Sequence, residues 1–346
     1  MIIFTLKIQT MKYLLLTLFA LGLVSCNSAQ NTVSSKKDRT DYAQTITAED
    51  LKVLLYEFSD DKMQGRMTGE PGQKMAAEFL KDFYVTHGIA SPIAEGDYFQ
   101  EIPASYFSRR RDAKASENVV AFIKGSEKPD EIVVLSAHYD HVGMKDGEIY
   151  NGADDDGSGT VSLLEMAEAF KMAVKDGNGP KRSILFLHVT GEEIGLYGSK
   201  YYTEHPIFPL ENTVCDLNTD MVGRIDPDKK DTPNYIYLIG SDKLSQELHD
   251  LSEMVNEKYI NLELDYTYND DNDPNRFYYR SDHYNFAKNN VPIIFYFNGV
   301  HEDYHQPTDT PDKIEYELLA KRAQLIFQTA WEVANREERI TADKLK

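Results

Sequence analysis

The segment SILFLHVTGEEIGLYGS, residues 183–199, joins a short apolar run to two adjacent glutamates and several glycines. The run 183–189 has the length and composition of a buried strand. Glu192 and Glu193 follow its carboxyl end, where two carboxylates repel each other and are costly to remove from water. The pair therefore needs a compensating positive charge, and its position indicates a functional site.

Strand-like and helix-like segments alternate along most of the chain. The predicted strands are residues 117–125, 131–137, 183–189, 213–219, 234–240, 262–268 and 291–297. The predicted helices are residues 47–58, 71–87, 158–175, 193–204, 243–259 and 314–339. This alternation predicts an α/β fold, a three-layer sandwich with a central, mostly parallel mixed sheet. Such sheets bind ligands at the carboxyl ends of their strands, where we expect the site.

The amino-terminal region is typical of an exported lipoprotein. From Met11, a lysine and an apolar stretch lead to Leu-Val-Ser-Cys, which resembles a bacterial lipobox ending at Cys26. A transmembrane anchor is the alternative, but the apolar run 13–24 is too short to span a bilayer comfortably. We expect a membrane-anchored protein on the periplasmic or cell-surface side, held only by the lipid on Cys26. The predicted organisation is a signal peptide (1–26), a flexible tether (27–45) and a catalytic domain (46–346).

Charge and cysteine content narrow the possible partners. The formal net charge is −20, with no basic stripe of the kind that neutralises phosphates, so we expect no nucleic-acid partner. The cysteines are Cys26 and Cys215. A lipidated Cys26 could not form a disulfide, so we expect Cys215 to be a buried, unpaired side chain.

Polar side chains follow several of the predicted strands. Histidine nitrogens and carboxylate oxygens are zinc ligands, and two zinc ions can act together on a carbonyl and a water. Such a centre needs two histidines, about three carboxylates and one more carboxylate to move a proton. The strand ends and nearby loops offer His138, Asp155, Glu192, Glu193, Asp220 and His305.

Six motifs in order resemble the co-catalytic dizinc aminopeptidase family, which includes secreted bacterial leucyl aminopeptidases. They are AHYDHVG, NGADDDGSGT, GEEIGLYGS, DMVGR, RSDHYNF and YHQPTDTPDKI. Each motif alone is weakly specific, but six in order within roughly residues 60–325 are strongly so. About 90 residues separate Ala48 from His138, too few for the protease-associated insert of some relatives.

The resemblance implies a role for each matched residue and two Zn²⁺ ions per chain. The implied ligands are His138 and Asp220 for one zinc, His305 and Glu193 for the other, and Asp155 as the bridge. Glu192 would be the general base toward a metal-activated water.

Three further residues receive supporting roles. Tyr304 would donate a hydrogen bond to the oxyanion of the tetrahedral intermediate, or would simply be a packed loop aromatic. Asp140 is predicted to fix the tautomer of the His138 imidazole through its carboxylate. Arg280 is a candidate substrate contact.

Other polar residues in these motifs receive structural interpretations. Asp154 and Asp156 suit the amino terminus of a helix, where carboxylates are favoured. His188 lies inside an apolar strand and is predicted to be a hydrogen-bonded core histidine. Asp282 and His283 are also expected to be structural, and His141, beside the site, has no assigned ligand role.

The predicted function is a zinc-dependent metallopeptidase, specifically an aminopeptidase acting on peptides with a free amino terminus. The same kind of metal centre also serves carboxypeptidases and deacylases. One alternative is a glutaminyl cyclase-type acyltransferase with one zinc, against which the segment HQPTDTPDKI argues. The other alternative is a non-catalytic surface lipoprotein that binds ligands.

Overall fold

The structure, a computed structural model, describes residues 37–108 and 112–345. The predicted signal peptide, 1–26, and most of the predicted tether lie outside the described residues. Lys37–Lys346 forms one compact unit. Within the described ranges, no helix is both long and apolar enough to cross a bilayer.

The centre of the fold is a mixed eight-stranded sheet. Its strands are β1 (Phe99–Ile102), β2 (Ser116–Ile123), β3 (Lys128–His138), β6 (Arg182–Val189), β7 (Thr213–Thr219), β8 (Tyr235–Ile239), β9 (Glu263–Asp265) and β10 (Ile293–Phe297). Two short strands, β4 (Met144–Lys145) and β5 (Glu148–Ile149), form a separate hairpin. The order in the large sheet is β1-β2-β6-β3-β7-β10-β8-β9. The inner strands β6, β3, β7 and β10 are mutually parallel, so their carboxyl ends meet at one edge.

Helices cover both faces of the sheet. They are α1 (Arg39–Ala43), α2 (Ala48–Phe58), α3 (Pro71–His87), α4 (Gly159–Lys175), α5 (Tyr197–Glu204), α6 (Gln246–Val255), α7 (His283–Ala287) and α8 (Tyr316–Asn335). On β3, Val133 and Leu135 belong to an apolar cluster that includes residues of α2, α3, α4 and α8. The alternate residues Ile132 and Val134 pack in a cluster with residues of α5 and α7. Because successive strand residues face opposite sides, this pattern confirms the three-layer sandwich.

Several predicted boundaries differ from the structure, and two of these differences have an identifiable cause. Residues 37–45 are not a free tether, because α1 lies within them and the side chains of Tyr42 and Ala43 are buried in the main apolar cluster. The helix predicted to begin at Glu193 begins at Tyr197 instead. Gly191, Gly195 and Leu196 all have positive φ, which breaks the helical path and leaves a loop after the glutamates.

Candidate metal centre

The five predicted zinc ligands converge at the carboxyl edge of the parallel strands. His138 is the last residue of β3, and Asp220 directly follows β7. Glu193 lies in the loop after β6, and His305 lies in the loop after β10. Asp155 lies in the short irregular helical segment Ala153–Ser158 that precedes α4. Parallel strands end at the same edge, which is why residues far apart in sequence meet here.

His138 and two aspartates form the first half of the cluster. His138 Nε2 lies 3.2 Å from Asp155 Oδ1 and 3.6 Å from Asp220 Oδ1. All three side chains are buried. The carboxylates Asp220 and Asp155 raise the pKa of His138 well above its usual range, against the lowering effect of burial.

His305 and two carboxylates form the second half. His305 Nε2 lies 3.0 Å from Asp155 Oδ2 and 3.1 Å from Glu193 Oε2. Burial lowers the pKa of His305, but these two carboxylates outweigh it and raise the pKa to about 10. One carboxylate oxygen of Asp155 therefore faces each half of the cluster, as is required of a carboxylate that bridges two metal ions.

The second half also contains a histidine to which the sequence assigned no ligand role. His141 Nδ1 lies 2.8 Å from Glu193 Oε1 and 3.7 Å from Asp155 Oδ2. Its position three residues after His138, in the same strand-end segment, is the signal that could have suggested it.

The buried polar atoms of the cluster fit a metal ion. Asp155 Oδ2, Glu193 Oε1 and both ring nitrogens of His141 are buried and have no aligned hydrogen bond to any described residue. Two sets of donor atoms, His138–Asp155–Asp220 and His141–Asp155–Glu193, each lie within 4.8 Å of one another. Imidazole nitrogens and carboxylate oxygens are ligands that zinc accepts. A divalent cation would provide the partner that these atoms lack.

Comparison with known proteins identifies the family. The profile of peptidase family M28 matches residues 118–330. The chain belongs to peptidase family M28. This result confirms the family indicated by the motifs.

Two known proteins are similar to this one over about two thirds of the chain. Aminopeptidase YwaD of Bacillus subtilis (strain 168) is 28% identical over 234 residues, which cover 65% of this chain and 46% of YwaD. A probable leucine aminopeptidase of Trichophyton verrucosum is 29% identical over 224 residues, covering 63% of this chain and 57% of the relative. The chain therefore spans about half the length of these relatives.

Solved structures show the same fold. The LapA aminopeptidase of Legionella pneumophila superposes with a TM-score of 0.67 at 20% identity, covering 87% of this chain and 74% of LapA. BSAP, a zinc aminopeptidase from Bacillus subtilis, superposes with a TM-score of 0.63 at 16% identity. That match covers 86% of this chain and 98% of BSAP.

The three consecutive aspartates of this M28 chain have different environments. Asp156 accepts hydrogen bonds from the backbone N–H groups of His138 (3.2 Å), Gly159 (2.9 Å) and Met221 (3.1 Å). It therefore caps α4, as predicted for a helix-terminal carboxylate, and also ties together the ends of β3 and β7. The peptide bond between Asp155 and Asp156 is cis. The Asp155 carboxylate faces His138 and His305.

Asp154 is held on the other side of Asp155. Its Oδ1 accepts hydrogen bonds from Gly223 N (2.6 Å) and Ser158 Oγ (3.0 Å), and its Oδ2 lies 3.1 Å from His301 Nε2. The backbone N–H groups of Asp154 and Asp155 donate to Asp309 Oδ2 at 3.0 and 3.1 Å. These contacts fix the backbone that carries the Asp155 carboxylate.

Asp140 acts on His138 in a different way from the one predicted. The carbonyl oxygen of Asp140 lies 3.0 Å from His138 Nδ1, whereas its carboxylate lies 3.8 Å away. The carboxylate instead accepts hydrogen bonds from Thr68 Oγ1 (2.7 Å) and the backbone N–H of Glu192 (3.1 Å). A backbone carbonyl, not the carboxylate, therefore orients the imidazole.

The two adjacent glutamates have opposite pKa shifts. Burial raises the pKa of Glu192 well above its usual range, and the charges of Glu193 and Asp220 add to the increase. Burial also favours a higher pKa for Glu193, but contacts with His141 and His305 outweigh it and lower that pKa. Across the described chain, no histidine nitrogen lies within 4.0 Å of the Glu192 carboxylate. Glu193 thus faces the histidines and Glu192 stands apart.

A cavity opens beside the first half of the cluster. Its lining includes His138, Asp155, Glu192, Asp220, Arg280 and Tyr304, together with the apolar side chains of Met221, Phe277, Phe295, Phe297 and Val300. The ring of Tyr304 stacks on His305 with 3.9 Å between centroids. The guanidinium of Arg280 lies over Phe277, 4.9 Å from the ring centroid. Both residues predicted to meet the substrate therefore face the same cavity as Glu192.

The residues that the sequence predicts to be structural have structural contacts. His188 Nε2 lies 2.7 Å from Tyr84 Oη, and burial lowers its pKa to about 3, so it is a hydrogen-bonded core histidine as predicted. Asp282 accepts a hydrogen bond from Ser199 Oγ. His283 Nε2 lies 2.8 Å from the carbonyl oxygen of Tyr278. Cys215 is buried within β7 and has no disulfide partner among the described residues.

Proposed function

We propose that this chain is a zinc-dependent aminopeptidase that binds two zinc ions. One observation carries the proposal: Asp155 presents one oxygen to each of two histidine–carboxylate groups, while Glu192, a carboxylate without a histidine contact, faces the adjoining cavity. His138, Asp155 and Asp220 would hold one ion, and His305, Glu193 and Asp155 the other. Zinc in such a centre polarises the scissile carbonyl and makes water a stronger nucleophile near neutral pH.

Glu192 is placed to move protons during hydrolysis. Its carboxylate accepts a proton from the attacking water and returns it to the leaving amine. Burial raises the pKa of Glu192, and a raised pKa makes a carboxylate a stronger base than an ordinary one. The lowered pKa of Glu193 suits a carboxylate that stays ionised. Environments that separate the pKa values of two neighbouring carboxyls are typical of divided acid–base roles.

Tyr304 is placed to stabilise the developing oxyanion. Burial, together with the negative charge of Asp155, raises the pKa of Tyr304, which keeps its hydroxyl protonated and able to donate. A neutral hydrogen-bond donor that faces a negative charge formed only in the transition state stabilises the transition state more than the bound substrate, and so lowers the activation barrier.

The cavity also indicates the kind of substrate. The names of the two relatives, both aminopeptidases, support a substrate with a free amino terminus. The apolar wall formed by Phe277, Phe297 and Val300 favours an apolar first side chain. A one-zinc glutaminyl cyclase is less well supported, because a second histidine–carboxylate group lies beside the first.

Mass spectrometry of matched peptides incubated with the zinc-loaded protein tests this function. The set contains a peptide with a free amino-terminal leucine, its acetylated form, and a peptide with a free amino-terminal glutamine. Stepwise shortening from the amino end, blocked by acetylation, is expected. Loss of ammonia from the glutamine peptide alone would indicate the cyclase, and cleavage from the carboxyl end would contradict an aminopeptidase. No change in any peptide would favour the non-catalytic alternative.

We also propose that the chain is an exported lipoprotein anchored through Cys26. The lipobox-like sequence at residues 23–26 supports this proposal. The wild-type chain is expected to incorporate labelled fatty acid and to fractionate with bacterial membranes. Cys26→Ser should do neither, and membrane fractionation of that variant would contradict the anchor.

A further inference from the structure

His141 occupies a position that restricts the direction of its ring. Its side chain is fully buried, and its backbone N–H donates to the carbonyl oxygen of Arg66 at 3.2 Å. The ring packs on Gly152, where an added Cβ would lie only 2.5 Å from His141 Cγ. Gly152 therefore provides the space that the imidazole fills, and the packing directs Nδ1 toward Glu193.

The contact between His141 and Glu193 is close but is not an aligned hydrogen bond. Nδ1 and Oε1 are 2.8 Å apart, yet both atoms are buried without a hydrogen-bond partner. Neither ring nitrogen of His141 has an aligned partner within the described residues. A buried imidazole with two unsatisfied nitrogens is costly unless something else binds it.

The spacing of donor atoms matches that expected around one ion. Ligand atoms on a tetrahedral zinc, with bonds of about 2.0–2.1 Å, lie about 3.3 Å from each other. In the second half of the cluster, His305 Nε2 lies 3.0 Å from Asp155 Oδ2 and 3.1 Å from Glu193 Oε2. His141 Nδ1 lies 2.8 Å from Glu193 Oε1 and 3.7 Å from Asp155 Oδ2. The rings of His141 and His305 meet edge to face, with centroids 5.6 Å apart, so both border the same small volume.

We propose that His141 binds the second zinc through Nδ1, which gives that ion two imidazole ligands and the His138-bound ion one. The inference rests on the proposed function, because it requires the cluster to bind two zinc ions. It predicts unequal sites. The half with His141 and His305 has more protein donors and holds its zinc more tightly, while the His138 half keeps a position free for substrate or water.

X-ray absorption at the zinc edge measures the number of imidazoles directly. In a His138→Ala background, which leaves only the second half intact, the bound zinc should have two imidazole ligands. In His138→Ala/His141→Asn it should have one. A single imidazole in both proteins would overturn the inference. Failure of the wild-type chain to retain zinc would instead contradict the proposed function, so the two failures are distinguishable.

Chelator competition on the otherwise wild-type chain provides a second measurement if the double variant fails to fold. Asparagine can replace the hydrogen-bonding capacity of His141 Nδ1 toward Glu193, but it is a poor zinc ligand. His141→Asn should weaken the tighter zinc by more than about 100-fold, beyond the 10–100-fold typical when a hydrogen-bonding partner of a ligand is lost. A smaller loss would overturn ligation by His141. His249→Asn, a change on α6, is the matched control and should leave both affinities unchanged.

Discussion

Replacing Glu192 with glutamine removes the proposed base while keeping the size of the side chain. No histidine nitrogen in the described structure lies within 4.0 Å of the Glu192 carboxylate, so the change should leave the histidine–carboxylate groups intact. Positioned general bases contribute about 10²–10⁴-fold to a rate. The expected fall in kcat is therefore about 10²–10⁴-fold, or roughly 3–5 kcal/mol in the activation barrier.

The matched control is the same substitution at the neighbouring position. Glu193 lies 3.1 Å from His305 and 2.8 Å from His141, so Glu193→Gln should lower bound zinc. The assay combines hydrolysis of a peptide with an amino-terminal leucine, followed by mass spectrometry, with zinc content by atomic emission. Glu192→Gln should retain zinc and lose kcat. Wild-type turnover by Glu192→Gln would refute its role as base, and a loss of zinc equal to that of Glu193→Gln would place it among the ligands.

Other perturbations test the bridge, the oxyanion donor and one buried carboxyl remote from the cluster. Asp155→Ala should reduce zinc content at both halves, and full zinc occupancy in that variant would contradict the bridging role. Tyr304→Phe should lower kcat by about 10²–10³-fold without changing zinc content, and an unchanged kcat would assign the ring to packing. Burial raises the pKa of Glu165 on α4 to about 8, so wild-type stability should decrease as pH rises from about 4.5 to 8. The free energy of unfolding of Glu165→Gln, measured by urea denaturation, should therefore rise by about 3 kcal/mol relative to wild type between pH 5 and 8. The same pH dependence in both proteins would show that ionisation of Glu165 does not destabilise the fold.

Elements with strong local signals could be predicted closely from the sequence. Helix α3 begins at Pro71 and ends at His87 before Gly88, whose φ of 65° suits a glycine cap. Strand β7 matches its predicted range, Thr213–Thr219, because an uninterrupted buried run between turns has little alternative. These signals lie within the segment itself, so the sequence alone is sufficient to locate them.

Elements whose conformation depends on distant contacts could not be predicted as well. Helix α5 begins at Tyr197 because Leu196, the residue before it, has a left-handed φ of 58°. Leucine has a high helical propensity, so residue type does not indicate this interruption. The segment 37–45 looks polar, yet Tyr42 is buried because its ring stacks on Trp331, almost three hundred residues away in the chain. Local composition does not reveal that a residue packs against a side chain from the opposite end of the domain.

The candidate site could also be predicted only in part: its residue types were recognisable from the sequence, but the contacts that depend on the fold were not. The family motifs located the five convergent residues, because residue type and order identify that pattern. They missed the position of His141, since the direction of its ring depends on the space left at Gly152. The contact with His138 Nδ1 was predicted for the carboxylate of Asp140, but the backbone carbonyl of Asp140 makes it. Residue type does not reveal such a contact, because every residue has a backbone carbonyl.

The neighbours of Asp155 explain how so many carboxylates can be buried at one strand edge. Asp156 and Asp309 accept hydrogen bonds from backbone N–H groups, which satisfy their oxygens and hold the backbone on both sides of Asp155. These carboxylates need no metal, and their hydrogen bonds provide the rigidity that a metal centre requires. Asp155 Oδ2 and Glu193 Oε1 lack such donors, so the unsatisfied charge is concentrated where the histidines meet. The fold thus separates carboxylates that build the loop from the carboxylates proposed to bind zinc, and Glu192, which does neither, remains available for the proposed proton transfer.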